Sequence, residues 1–215
     1  MYFSILYSVN INKIQIGLAE KAKNDSEIEL EAYKSKMNPE LLNKSLETLI
    51  CYAAKDPVLA DDYISQISDF YRSILNNKRT ELIDLKNELE TAVNYIALQN
   101  SWNNDNIDFK VGADKLSKQF NIIPGTVYLF LEYVIHNSII SPILPLSINC
   151  KIDGDILFIE CLKRDKIQKN DNQGFEIEQL NKAYKFYSDS IPEIIDKNGI
   201  LLIKIPLFEP ISKNK

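Results

Sequence analysis

Apolar residues recur at three- and four-residue spacing through the first half of the chain, which is the pattern of amphipathic helices. Between Ile11 and about Asn100 there are one glycine and two prolines, and good helix formers dominate. The pattern predicts a helix from about Ser26 to Ile50, a second helix over residues 63–75 and a third over residues 85–99.

Two prolines divide this helical half. Pro39 is expected to kink the first helix, or to begin a new one with Asn38 as its N-cap, because proline lacks an N–H and fits the first helical position. Asp56-Pro57 marks a turn, so we predict that the first two helices form an antiparallel hairpin. An apolar seam that would bind a second copy is predicted at Leu42, Leu46, Leu49, Ile67, Phe70 and Ile74.

The second half of the chain mixes strand and helix patterns. Alternation over residues 107–111 predicts a strand, and runs on either side of Asp153-Gly154 predict a β-hairpin. The remaining predicted elements are a helix from about Thr126 to Ile140, a helix from about Glu176 to Tyr187, and a last strand over residues 199–205. We therefore predict an α+β fold with helices on one face of a mixed sheet. The predicted domains are residues 1–100 and 101–215.

Composition narrows the class of protein. Apolar residues make up 45% of the chain and charged residues 26%, which is typical of globular proteins. The formal charge of −5 is spread among interspersed cations and anions, so nucleic-acid binding is not expected. No run approaches the roughly 20 apolar residues that span a bilayer, so no stable membrane span is expected in this chain. The apolar opening, residues 1–9, is either an interfacial stub, the remnant of a span or an ordinary helical turn.

Cysteine and histidine usage argues against disulfides and metal. Cys51, Cys150 and Cys161 are widely spaced and odd in number, so we predict reduced core thiols. His136 is the only histidine, and the carboxylates show no ligand spacing, so no metal site is expected.

The segment Lys36-Met-Asn-Pro-Glu-Leu-Leu-Asn-Lys-Ser-Leu46 resembles the phosphoacceptor segment of LytS-type sensor histidine kinases, Q-I-N-P-H-F-L-F-N-[ST]-L. Glu40 occupies the position of the histidine that accepts phosphate in that family, and Lys44 the position of an asparagine. The resemblance implies that kinase activity is lost. On the residues alone, Glu40 is best explained as a solvated residue of a first helical turn, favoured by the helix dipole, and a regulatory role for its charge is the alternative.

Two further segments follow in the order of the family. Ile67-Ser-Asp-Phe-Tyr-Arg72 is similar to L-S-x-L-[LF]-R. The helix Leu85–Gln99 is similar to L-x-x-E-L-x-x-x-x-x-Y-[IL]-x-[IL]-Q. The three motifs keep the spacing of the family, which makes the combined resemblance more specific than each motif alone.

The nucleotide-binding segments of the family are also recognisable, with changes. Ile123–Ser138 resembles the helix I-P-x-x-x-[LF]-Q-x-L-V-E-N-A-I-K-H if one residue is deleted. In that register Glu132 matches the glutamate, Tyr133 replaces the asparagine that coordinates magnesium, and His136 and Asn137 fall on the lysine and histidine positions. The alternative for His136 is an ordinary helix residue.

Gly174-Phe-Glu-Ile-Glu-Gln-Leu-Asn-Lys-Ala-Tyr184 resembles the glycine-rich segment G-[IV]-G-L-x-N-[IV]-x-x-R-[LY]. Glu176 replaces the second glycine and Gln179 the asparagine. A vestigial ATP site is thus implied at Glu132, Tyr133, His136, Asn137, Gly174, Glu176 and Gln179. Its expected defects are the lost magnesium ligand and the repulsion of a triphosphate by Glu132 and Glu176.

The resemblance implies a GHKL or Bergerat-type α/β sandwich after the hairpin, and a cytoplasmic protein, with the inner face of the membrane as the alternative location. We expect no cofactor, because magnesium-ATP should bind weakly or not at all. The expected function is that of a pseudokinase in two-component signalling, which forms a homodimer or a heterodimer with an active kinase and contacts a response regulator. The alternatives are a residual ATP-binding component that phosphorylates a partner chain in trans, and a chaperone-type GHKL ATPase, which the kinase-like order of motifs disfavours.

Overall fold

The computed structural model describes residues 39–77, 81–112, 119–162, 164 and 172–210. Helix α1 spans Pro39–Lys55 and helix α2 spans Pro57–Asn77, so that Asp56 alone connects them. The Asp56 carboxylate accepts the N–H of Val58 at 2.9 Å, and proline at the first position of α2 needs no partner for its missing N–H. The predicted turn is confirmed. The predicted N-cap Asn38 and the helix before it lie outside the described residues.

Helix α3 spans Leu85–Asn103 and follows a two-residue strand, β1, Ile83–Asp84. The Asp84 side chain caps α3 by accepting the N–H of Lys86 at 2.8 Å. Strand β1 pairs antiparallel with β3, Asn121–Ile122. This small sheet brings the start of α3 next to the chain that precedes the next helix.

The main sheet has five strands in the order β2-β4-β5-β7-β6. Strand β2 is parallel to β4, and the other neighbours are antiparallel, so the predicted mixed sheet is confirmed. The bounds of its strands are β2, Ile107–Val111; β4, Leu146–Asp153; β5, Ile156–Leu162; β6, Glu193–Lys197; and β7, Ile200–Pro206.

Strand β6 was not predicted, because Glu193-Ile-Ile-Asp-Lys197 is mostly polar and lacks a clean alternation. It is an edge strand, and charged residues on edge strands limit pairing with other chains. The signal for it was the turn that follows. Asn198 and Gly199 both have positive φ, 54° and 77°, as a two-residue hairpin turn requires.

Two more helices complete the described fold. Helix α4 spans Thr126–Asn137 and ends before the predicted Ile140, because Ser138 is extended and the N–H of Ile139 donates to the Arg164 carbonyl at 2.8 Å. Helix α5 spans Asn172–Tyr187 and begins before the predicted Glu176.

The core lies between the helices and one face of the sheet. Along β4, Leu146, Ile148, Cys150 and Ile152 are buried while the residues between them are exposed, as expected for a sheet covered on one face. A single hydrophobic cluster extends from the hairpin to the sheet. The α+β class, with a helical hairpin followed by a mixed-sheet layer, is confirmed. The predicted boundary near residue 100 stays a prediction.

The burial of individual residues corrects two predictions. Cys150 and Cys161 are buried free thiols, but Cys51 is exposed on α1, so the prediction of a core thiol was wrong there. Phe70 and Ile74 are buried within the chain, so they are unavailable to the predicted seam for a second copy. Helical periodicity identified the apolar face of α2, but it did not reveal that this face covers α3 and α4.

Candidate functional site

The position of the family's phosphoacceptor lies in the first turn of α1. Glu40 is exposed there, and a carboxylate in a first helical turn is stabilised by the helix dipole. One turn further, the Lys44 ammonium lies 4.4 Å from the centre of the Trp102 ring at the end of α3. Lys44, one turn after Glu40, therefore links α1 to the end of α3.

Glu132 faces α3 from the middle of α4. Its side chain is only 4% exposed. Burial raises the pKa of Tyr95 well above its ordinary value, and the charge of Glu132 adds to that rise. Gln99 donates from Nε2 to the Tyr95 hydroxyl at 2.9 Å. Glu132 thus lies close enough to α3 to act on Tyr95, and the predicted repulsion of a triphosphate by Glu132 stays a prediction.

The other predicted site residues of α4 lie near its C-terminal end. Tyr133 and His136 are half-buried and three residues apart, so they share a helix face. Asn137 is buried, and its amide donates to the Tyr133 carbonyl at 2.8 Å. Asn137 therefore satisfies a carbonyl in the last turn of its own helix.

Helix α5 carries the remaining predicted positions and packs against α4. Gly174 lies in its first turn, and Glu176 and Gln179 are half-buried. The Gln179 side-chain oxygen is buried without a hydrogen-bond partner. The structure thus brings the helices of both family segments together. Within the described part of the chain, no group of three or more His, Cys, Asp or Glu residues is placed to hold a metal ion.

Glu88 is the main residue that the sequence analysis did not single out. It is fully buried on α3, and its two carboxylate oxygens accept the N–H groups of Gly125 and Val127 at 3.0 and 2.9 Å. Gly125 is the N-cap of α4, has φ of 83° and offers no side chain to cap the helix. A glutamate from another helix therefore caps α4.

The surroundings of Glu88 set its protonation. Burial raises the pKa of Glu88 from 4.5 to about 7, opposed by hydrogen bonds from the backbone N–H groups of Gly125, Val127 and Tyr128. Tyr184 of α5 donates to the Thr126 hydroxyl at 3.4 Å, and burial raises the pKa of Tyr184. Glu88 thus joins α3 to the start of α4 beside α5.

The signal that identifies Glu88 is the third family motif itself. The positions that the motif specifies within α3 are Leu85, Glu88, Leu89, Tyr95, Ile96, Leu98 and Gln99, and all of them are buried. The motif therefore describes how α3 packs on its neighbours.

Comparison with known proteins agrees with the motifs. A family model described as Histidine kinase matches residues 28–107. The sensor protein LytS of Staphylococcus saprophyticus is 23% identical over 153 residues, which cover 64% of this chain and 26% of LytS. The sensor histidine kinase YpdA of Escherichia coli is 28% identical over 163 residues, 74% of this chain and 27% of YpdA. The chain thus spans about a quarter of the length of these relatives.

A solved structure described as a bacterial phosphotransferase is a distant structural match, with a TM-score of 0.47 and 12% identity over 84% of this chain and 95% of that one. Among the described residues, no helix is long and apolar enough to cross a membrane. The matched family model and the relatives show that this chain is similar to sensor histidine kinases of the LytS type.

Proposed function

We propose that this chain is a catalytically inactive, sensor histidine kinase-like protein that acts in two-component signalling through dimerisation and protein contacts. The observation that carries the proposal is Glu40, which is exposed in the first turn of α1 at the family's phosphoacceptor position. Phosphoryl transfer to histidine requires a neutral imidazole nitrogen as nucleophile, and a carboxylate at this position has no imidazole.

The changes in the ATP site support the same proposal. Tyr133 is half-buried at the position of the family's magnesium ligand, and a phenol is a poor ligand for magnesium, which prefers carboxylate and carbonyl oxygens. Glu176 adds a negative side chain where the family has a glycine next to phosphate. Loss of the metal and added negative charge both oppose binding of a triphosphate.

We expect magnesium-ATP to bind with a Kd above about 10 µM. A site that binds ATP with a Kd of about 1 µM reaches this value if it loses about 1.4 kcal/mol of binding free energy, because that loss weakens the affinity tenfold. Isothermal calorimetry with and without magnesium measures this on the whole chain. Tyr133→Asn, which supplies an amide oxygen, should strengthen binding only when magnesium is present, and Tyr133→Phe is the matched control. A magnesium-dependent Kd below about 10 µM for the unmodified chain would contradict the proposal.

A phosphate-labelling experiment tests the phosphoacceptor position. Glu40→His restores the nucleophile but leaves the changed ATP site, so no labelled phosphate from ATP should appear on this variant. Labelling of Glu40→His would show that the ATP site is functional. It would favour the alternative function, a residual ATP-binding component that phosphorylates a partner chain in trans.

The proposed dimer uses the part of the hairpin that the chain leaves uncovered. Leu42, Leu46 and Ile50 follow one another at four-residue spacing on α1 and are 41%, 47% and 70% exposed. Such a stripe is the pattern that pairs helices in bundles. The partner is a second copy or an active kinase, and a response regulator is the proposed downstream contact.

We predict a dimer at tens of micromolar in sedimentation. Leu46→Glu should give a monomer, because it would bury a charge in the apolar contact. Val93→Glu, on α3 and 51% exposed, is the control and should remain dimeric. A monomeric unmodified chain, or equal behaviour of the two variants, would rule out this surface as the dimer interface.

A further inference from the structure

Helix α1 is held less firmly than the helices that follow it. Its extensive contacts among the described elements are with α2. Leu41 and Ser45 are its only buried residues in the described chain, whereas α3 buries nine. Burial of apolar surface supplies most of the stabilisation of a helix in a protein. Packing therefore stabilises α1 less than it stabilises α3.

Side chains at the end of α3 supply a second attachment for α1. The Lys44 ammonium of α1 lies over the Trp102 ring, and the Trp102 indole N–H donates to the hydroxyl of Tyr63 on α2 at 3.1 Å. The Tyr52 hydroxyl donates to the Ser101 carbonyl at 3.4 Å, a long hydrogen bond. Lys44, Tyr52, Ser101 and Trp102 form what we call the Trp102 clamp, whereas the hydrogen bond between Trp102 and Tyr63 joins α2 to α3. Lys44 is exposed, and Tyr52, Ser101 and Trp102 are half-buried, so water competes for most of the clamp.

Helix α2 has its own N-terminal cap and packs on α3 as well as on α1. Asp56, the single residue between the two helices, caps α2 with its side chain, and the N–H of Ala60 donates to its carbonyl at 3.1 Å. Further along α2, the Phe70 ring is fully buried with its centre 5.8 Å from that of Tyr95 and 5.7 Å from that of Tyr128. The connection at Asp56 is therefore the place where the chain can bend while α2 stays in position.

We propose that α1 opens as a unit about Asp56 by release of the Trp102 clamp, while α2 and α3 remain folded. Local opening of a weakly packed element, with the rest of the structure intact, has a lower free energy than global unfolding. Because α1 carries Glu40 and the exposed stripe, its opening would change the surface offered to a partner. Only this last link rests on the proposed function, since the opening is a property of the isolated chain.

Hydrogen exchange of the whole chain under native conditions tests the opening. Amides of α1 should exchange at least about tenfold faster than those of α3, which corresponds to about 1.4 kcal/mol. Lys44→Met keeps the apolar stem and removes the ammonium, so exchange in α1 should become about two to five times faster, as expected for loss of an exposed cation–π contact. Exchange in α3 should not change. Lys55→Met, on an exposed residue of the same helix, is the matched control.

Trp102 supplies an independent measurement, because it is the only tryptophan in the chain. Quenching of its fluorescence by acrylamide should increase in Lys44→Met and stay unchanged in Lys55→Met. One common exchange rate for α1 and α3 would overturn the proposal, and so would equal behaviour of the two lysine variants in both measurements. Failure of the chain to dimerise, or tight binding of ATP, would contradict the proposed function and leave these results unaffected.

Discussion

Phe70→Ala is expected to lower the free energy of unfolding by about 4 kcal/mol, the usual cost of removing a fully buried aromatic ring. The ring is 0% exposed and contacts Tyr71, Tyr95 and Tyr128, so its removal leaves a cavity where the hairpin meets α3 and α4. Much of the stability of a domain, which is about 5–15 kcal/mol, would be lost. Urea denaturation followed by circular dichroism measures the change.

The matched control for Phe70→Ala is Leu75→Ala, on the same helix but 62% exposed. We expect this substitution to change the free energy of unfolding by less than about 1 kcal/mol, since it removes little buried surface. If Phe70→Ala cost no more than Leu75→Ala, the hairpin would not be packed on α3 and α4 as described. The pair of variants therefore tests the junction on which the arrangement of the chain depends.

Glu88→Ala is expected to cost about 3 kcal/mol near pH 5, where the Glu88 side chain of the folded chain is largely protonated. The substitution leaves the N–H groups of Gly125 and Val127 without the acceptor that the structure provides, and each unsatisfied buried donor costs about 1–3 kcal/mol. Glu90→Ala, at an exposed position on the same helix, is the control and should change stability little. Thermal unfolding of both variants at a fixed pH gives the comparison.

The stability of the chain should also depend on the protonation of Glu88. Its pKa is raised from 4.5 to about 7, so the folded state binds the proton more tightly than the unfolded state. The resulting stabilisation is complete below about pH 4.5 and is lost as the pH rises towards and through 7. At about 1.4 kcal/mol for each pH unit between the two pKa values, the loss is at most about 3 kcal/mol.

Glu88→Gln isolates this effect, because glutamine keeps the shape of the side chain and does not titrate. The stability of Glu88→Gln relative to the unmodified chain should rise between about pH 4.5 and 7 and then level off. Tyr184 also lies next to Glu88. Burial raises the pKa of Tyr184 above its ordinary value, so Tyr184 stays neutral throughout this pH range. A stability difference that is constant with pH would show that Glu88 does not titrate between these values.

The site was only partly predictable from its residues. Spacing alone placed Tyr133, His136 and Glu132 on α4, and the structure confirms that helix. It did not show that Glu132 faces Tyr95 on α3 while Tyr133 and His136 are half-buried. The orientation of each residue depends on which face of α4 meets α3, and that contact involves residues more than thirty positions apart in the sequence.

The sequence by itself determined the class of the fold, because periodicity, proline positions and the Asp153-Gly154 turn are local signals that act within a few residues. It also indicated the resemblance to LytS-type sensor histidine kinases, through three motifs that keep the order and spacing of that family. Only the tertiary structure decided that Phe70 is buried in its own chain, that Glu88 caps α4 and that Trp102 contacts α1. These are contacts between distant segments, and their energies depend on burial and approach in three dimensions, which local patterns do not encode.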